Sequence, residues 1–365
     1  MQVTVQSSKQ NLGIENAPHL RDSMTTQKIM LIVLLALAPA FGVMCYFYGM
    51  GVLVQLSICS ISSILFEIII ALLRHRKIKH HLSDLSYLIT AALMALTLPP
   101  LLPWYLTVVA TAFAILIVKH AFGGLGMNIF NPAMAGFIFL VIATPSVFYS
   151  TYIPPTHKAY DVIDTNIALR VVFNDKDPVL VQNEIKSKYA DTQALTGATY
   201  LESLKTLRKA NETQSTVHAD FKHDAFDAYI YLAIAYSLAG IVLIALKIIH
   251  YHMPLAFLLT IACSGALYHL IDPSMSISYL EHLLLGGTML CAFFIITDPV
   301  TNAGTLKGRI VFSILVGFLV IIIRVNGSYS DSVAFAVLLG NAAAPLIDVL
   351  MRRRKFGVNF KEGSI

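Results

Sequence analysis

The chain has 365 residues, of which 56% are hydrophobic and only 13% charged. That composition leaves too little polar surface to cover a water-soluble globule of this length, so lipid is the expected solvent. The formal net charge of +5 could point to nucleic acid, but the positive residues cluster beside apolar runs, as topology signals do, and no nucleic-acid partner is expected.

Residues 1–28 form a polar lead containing Lys9, Glu15, Arg21 and Asp22, so the first apolar run is read as a permanent anchor rather than a cleaved signal. Runs suited to crossing a bilayer follow near 29–48, 52–73, 85–98, 104–118 and 133–149. After a long polar gap, others lie near 228–246, 254–271, 280–296, 310–323 and 333–350. The expected fold is an all-α polytopic membrane protein of about ten transmembrane helices, in two inverted halves of about five spans each, with a small extracytoplasmic domain between them.

The expected divisions are a cytoplasmic N-terminal segment (1–28), a first transmembrane half (29–149), an extracytoplasmic domain (150–226), a second transmembrane half (227–350) and a cytoplasmic basic tail (351–365). With the N-terminus inside, the short cytoplasmic segments collect most of the lysines and arginines, and the short external turns hold only Arg324. Both termini are therefore expected in the cytoplasm, with Arg352-Arg353-Arg354-Lys355 lying against anionic lipid headgroups. Segment 150–226 is nearly balanced in charge and contains Pro154, Pro155 and Pro178, the composition of a water-exposed cap.

Cys45, Cys59, Cys263 and Cys291 lie inside apolar runs without Cys-x-x-Cys spacing, so they are expected to pack as small hydrophobes. His75, His80, His81, His120, His269 and His282 have no repeated ligand spacing, and no metal centre is expected. Two acids fall within or at the margin of apolar runs, Glu67 and Asp348. Buried ionisable groups in membranes need a partner or a cation, which makes both candidates for an ion path. Interfacial ion pairs, Glu67 with Arg74 and Asp348 with Arg352, are the structural alternative.

Three motifs bear on chemistry. In the polar gap, Ala194-Leu195-Thr196-Gly197-Ala198-Thr199-Tyr200-Leu201-Glu202 has capping-box spacing from Thr199 to Glu202. A helix start approached through Gly197 and Ala198 also offers free N–H donors to a phosphate. Between the fourth and fifth runs, Phe122-Gly123-Gly124-Leu125-Gly126-Met127-Asn128-Ile129-Phe130-Asn131-Pro132-Ala133 is irregular backbone, tolerated at membrane depth only where it is buried or lines a cavity. Asn128 and Asn131 each offer donor and acceptor groups to a planar heterocycle; a tight turn with Asn131 as helix cap is the alternative. Thr297-Asp298-Pro299-Val300-Thr301 is the third, where Asp298 also has the position of a cap before proline.

Thr196-Gly197-Ala198-Thr199 resembles the Ser/Thr-Gly-Ala-Thr motif whose last threonine receives FMN through a phosphoester bond in redox-driven ion pumps. With the glycine–asparagine stretch, the Thr297–Thr301 stretch and Pro345-Leu346-Ile347-Asp348, it resembles the family of the D subunit of Rnf-type ion-translocating electron-transport complexes. The B subunit of the sodium-translocating NADH:quinone reductase shares these motifs, and the length favours the Rnf-type protein. The likeness runs from the first span to the tail; one departure is Gln193, where the family's motif often has an acidic residue.

The resemblance implies covalent FMN on Thr199, attached by a flavin transferase, and a noncovalent riboflavin held by Asn128, Asn131 and Asp298. It implies the A, B, C, E and G subunits of an Rnf-type complex as partners in the bacterial inner membrane, and electron transfer between ferredoxin and NAD, coupled to Na⁺ or H⁺ movement. No nucleotide-binding fingerprint or iron–sulfur ligand set is present, so NADH or ferredoxin chemistry would belong to partners and this chain is not a complete enzyme alone. The rival reading is a solute channel or transporter without redox activity, of the urea- and ammonium-channel type that the family fold is thought to resemble. A purely structural anchor is a third.

Overall fold

A computed structural model describes residues 24–153, 155–161, 163–173, 223–271, 278–327 and 332–351. Among them the chain is helical, with no strand. Helix α1 (Thr26–Tyr48) is started by Thr25, whose hydroxyl accepts from the Lys28 N–H. A sharp turn leads into α2 (Gly51–Leu73). Gly49 takes φ +81°, and a Cβ on Gly51 would lie 2.6 Å from the Pro100 carbonyl oxygen, so only glycine lets this corner close.

The first half continues with α3 (Ser86–Thr97), α4 (Trp104–Ala112) running straight into a π-helix (Phe113–His120), α5 (Pro132–Ala143) and α6 (Pro145–Ser150); α7 (Thr165–Phe173) falls in the following segment, 150–226. The second half contains α8 (His223–Ala245), α9 (His252–Ile271), α10 (Tyr279–Leu284), α11 (Thr288–Leu290) with a second π-helix (Cys291–Ile295), α12 (Leu306–Asn326) and α13 (Ser332–Met351). The halves pack directly, α1 against α8 and α5 against α13.

Among the described residues, six helices are long and apolar enough to cross a membrane: α1, α2, the Phe226–Ala245 part of α8, α9, α12 and α13. Their outer faces carry exposed Leu35, Ile61, Leu65, Leu259, Phe318 and Leu346. Apolar side chains turned outward around a whole bundle suit acyl chains rather than water. The chain is an all-α, multi-pass membrane protein. The other expected runs are shorter or interrupted: 85–98 and 104–118 correspond to Ser86–Thr97 and Trp104–His120, and 133–149 is divided at Thr144. Run 280–296 is broken at Leu285, Gly286 and Gly287, where both glycines have positive φ, 65° and 69°.

Breaks inside a bundle expose carbonyls to an apolar surrounding, and in each half a buried side chain answers one of them. Arg324 of α12, expected in an external turn, is instead buried at 3% exposure. It donates to the carbonyls of His282 (2.8 Å) and Leu285 (3.3 Å) and to the Thr288 hydroxyl (3.1 Å). In the first half, fully buried Gln55 donates to the Leu102 carbonyl at 2.7 Å and accepts from Thr107 Oγ1 at 2.7 Å. Arg324→Leu should therefore destabilise the detergent-solubilised protein by about 3 kcal/mol, since charge-assisted bonds are lost and carbonyls are stranded. Thermal unfolding followed by circular dichroism checks this, with Arg324→Lys expected to recover part of the loss.

Gln193, Gly197, Ala198, Thr199 and Arg352 lie outside the described residues. All four cysteines are free thiols, with Cys59 and Cys291 buried and Cys263 exposed.

Candidate functional site

The two polar motifs flanking the bundle centre fold first by local rules. Asn131 caps α5, its Oδ1 accepting from the N–H groups of Ala133 (3.1 Å) and Met134 (3.2 Å), with Pro132 at the first helical position. Asn128 Nδ2 donates to the Phe130 carbonyl at 3.1 Å. Asp298 stabilises its own turn, accepting from Val300 N–H (3.2 Å) and Thr301 Oγ1 (3.0 Å). The capping reading of Asn131 is thus realised in the fold, whereas Asp298 closes a turn and starts no helix, since α12 begins at Leu306 behind its own cap, Thr305.

The tertiary structure adds what these local rules do not contain. Asn128, Asn131 and Asp298 line one cavity of about 290 Å³ between the halves, near the lower end of small-molecule pockets. Asn341 of α13, 1% exposed, ties its walls together. With its amide oriented to match its neighbours, it accepts from the Asn131 N–H at 3.0 Å and donates to the Thr301 carbonyl at 3.0 Å. Nothing in the motifs pointed to Asn341.

Both π-helices border this cavity. The first contributes Lys119, and the second contributes the consecutive Phe293 and Phe294. π-Helical turns are rare and recur at functional sites. A Cβ on Gly240 of α8 would overlap the Phe293 ring, so glycine there lets this wall approach α8. Asn302 and Arg309 complete the polar lining. Asn302 Oδ1 is buried without a hydrogen-bond partner, an unsatisfied acceptor on the wall of a cavity that a ligand donor would satisfy. Burial raises the Asp298 carboxyl above its ordinary pKa against the two bonds that favour its charged form. The donor set, two aromatic rings and adjacent cations match a planar, polar-edged heterocycle.

A second polar cluster adjoins the first. Glu67 does not pair with Arg74, as its spacing suggests; Arg74 donates to the carbonyls of His120 (2.6 Å) and Gly123 (2.9 Å). Glu67, 1% exposed, instead holds Lys119 Nζ on Oε1 at 2.6 Å. The Nε2 atoms of His120 (2.9 Å) and His81 (2.8 Å) lie against its Oε2. Lys119 is 3% exposed and also donates to Ser86 Oγ at 2.7 Å. The sequence offered no ligand spacing for these histidines, because the donors come from three separate elements. They nevertheless lie within 4.8 Å of one another. Lys119 already supplies the cation that the carboxylate requires, so the cluster is an ion-pair network. Burial lowers the pKa of His81, opposed by the nearby Glu67 charge.

Removing Glu67 alone would leave Lys119 buried and unpaired. Glu67→Ala is expected to lower stability by about 3–5 kcal/mol, with much of that recovered in the double variant Glu67→Ala, Lys119→Met. Thermal unfolding of the single variants and the pair measures the coupling.

Asp348 of α13 accepts from the Gly304 N–H through both oxygens, at 2.8 and 3.1 Å. This holds the loop before α12.

A family model described as the NQR2, RnfD, RnfE family matches residues 13–357. The chain belongs to this family. Relatives named as the D subunit of the ion-translocating oxidoreductase complex support the same placement. The one from Cronobacter sakazakii is 40% identical over 348 residues, 94% of this chain and 98% of the relative. Those from Tolumonas auensis (38%, covering 95% and 99%) and Shewanella frigidimarina (37%, covering 94% and 97%) are similar along nearly their whole length. The chain is accordingly a membrane subunit of an ion-translocating oxidoreductase complex, part of a translocase that links electron transport to ion transport.

Proposed function

We propose that this subunit carries electrons through two flavins, FMN esterified to Thr199 and riboflavin held noncovalently in the Asn128–Asn131–Asp298 cavity. The observation that carries the cavity reading is the convergence of side chains from two distant motifs on one polar-edged space, beside the unsatisfied Asn302 oxygen. A flavin bound there would supply one- and two-electron chemistry. The protein's own part is to hold and tune: Asn128, Asn302 and Asp298 offer hydrogen bonds to a ring edge, Phe293 and Phe294 offer apolar faces, and Lys119 and Arg309 favour a gain of electrons.

In this reading the chain forms about ten spans in two inverted halves. Both termini and the Glu67 cluster face the cytoplasm of the bacterial inner membrane, and segment 150–226 lies outside. The A, B, C, E and G subunits complete the path between ferredoxin and NAD, a flavin transferase loads Thr199, and Na⁺ or H⁺ is moved. Glu67 and Asp348 remain the ion-path candidates.

Acid precipitation of the protein purified within its complex tests both flavins at once. FMN fluorescence should stay with the denatured chain on a gel while riboflavin appears in the supernatant. A dark band and a flavin-free supernatant would overturn both flavin assignments.

A further inference from the structure

The cavity and the Glu67 cluster share a wall. Lys119 and Leu125 border both the 290 Å³ cavity and a much larger open cleft of about 1310 Å³, which is also lined by Glu67, His81, His120 and Arg74. Ser86, the other partner of Lys119, faces the cavity. A buried ammonium thus stands between the cavity and a larger, more open cleft.

We propose that Lys119 is the proton donor to the redox group of the cavity and is reprotonated from the cleft through Glu67 and its two imidazoles. This rests on the flavin reading above. When the cavity group gains an electron, one Nζ–H bond of Lys119 breaks and its proton goes to the reduced group. The neutral amine then takes a proton through Glu67, which bridges Lys119 on Oε1 and His120 and His81 on Oε2, and the imidazole that gave it up recovers one from cleft water. The electron comes from the complex's own donor. Each transfer runs between groups 2.6–2.9 Å apart within the cluster.

The remaining charged neighbours are placed for this role. Asp84 accepts from Ser86 Oγ at 3.1 Å and orients the hydroxyl that receives the Lys119 bond. Arg74 is engaged by backbone carbonyls. Across the cavity stand Asp298, Arg309 and His250. A lysine suits the position because its ammonium can release a proton, whereas a guanidinium keeps the charge and cannot.

That difference defines the test. Complexes carrying Lys119→Arg, Lys119→Met or Glu67→Gln are assayed first for noncovalent flavin, then reduced by one electron with pulse radiolysis. The absorbance change that marks protonation of the reduced flavin is followed. A general acid contributes about a hundredfold, so protonation should slow by about that factor in Lys119→Arg and Lys119→Met that retain flavin. A merely structural or electrostatic lysine would be replaced by arginine without such slowing, and wild-type protonation in flavin-loaded Lys119→Arg overturns the proposal. If both Lys119 variants lose flavin, Glu67→Gln decides over two successive reductions: it should spare the first protonation and slow the second, which needs Lys119 recharged, and an undiminished second protonation also overturns the proposal. Absence of noncovalent flavin from the wild-type complex is a separate failure, that of the cavity reading itself.

Discussion

Thr199→Ala should abolish covalent flavin altogether, leaving a chain whose intact mass equals that of its sequence and whose gel band is dark under ultraviolet light. The effect is all or none because a phosphoester needs a hydroxyl, and alanine offers none. Thr199→Ser keeps the hydroxyl, so flavin recovered in it would show that the motif supplies an acceptor hydroxyl rather than the threonine methyl group. Every variant is to be co-expressed with the flavin transferase of the proposal. An unmodified wild-type chain from a natively matured complex would remove the covalent-FMN assignment. If flavin were found on another residue, Thr199 would lose its role while the protein kept its carrier function.

The second large effect is expected in the cavity. Asn128→Leu and Asn302→Leu should each weaken noncovalent flavin binding about tenfold, the loss of roughly one hydrogen bond together with an unpaired partner on the ligand. These positions are sharper probes than Asn131, whose side chain also caps α5 and whose backbone meets Asn341. Asp298→Asn is the matched probe of charge, since the amide oxygen can still accept from the Val300 N–H while the amide nitrogen donates to the Thr301 hydroxyl. Flavin released by acid and quantified against protein measures each variant. Full retention in Asn128→Leu, Asn302→Leu and Asp298→Asn alike would show that the cavity does not hold the flavin, while Thr199 modification would be untouched.

Part of the site was legible from residue order. Asn128, Asn131 and Asp298 stand in short, punctuated stretches between apolar runs, where irregular backbone in a membrane signals a lined space. Asn302 lies one residue beyond the Thr297–Thr301 stretch and could have been found by extending it. Lys119, Phe293 and Phe294 gave no such signal. Each sits at the end of or inside an apolar run, where a lysine reads as a topology mark and phenylalanine as lipid contact. Their role depends on two π-helical segments, and a helix of slightly altered register has no distinct sequence pattern.

By itself, the sequence determined that this protein lives in lipid, where its long apolar segments lie and which family its motifs match, because those properties depend on residue type and spacing along the chain. Tertiary structure alone decided that Glu67 pairs with Lys119 rather than Arg74, that Arg324 is buried, and that side chains from distant motifs share one cavity. The physical reason is that a buried charge in a bundle takes its partner from whichever element packs against it, and the folded arrangement sets that choice, not distance along the chain.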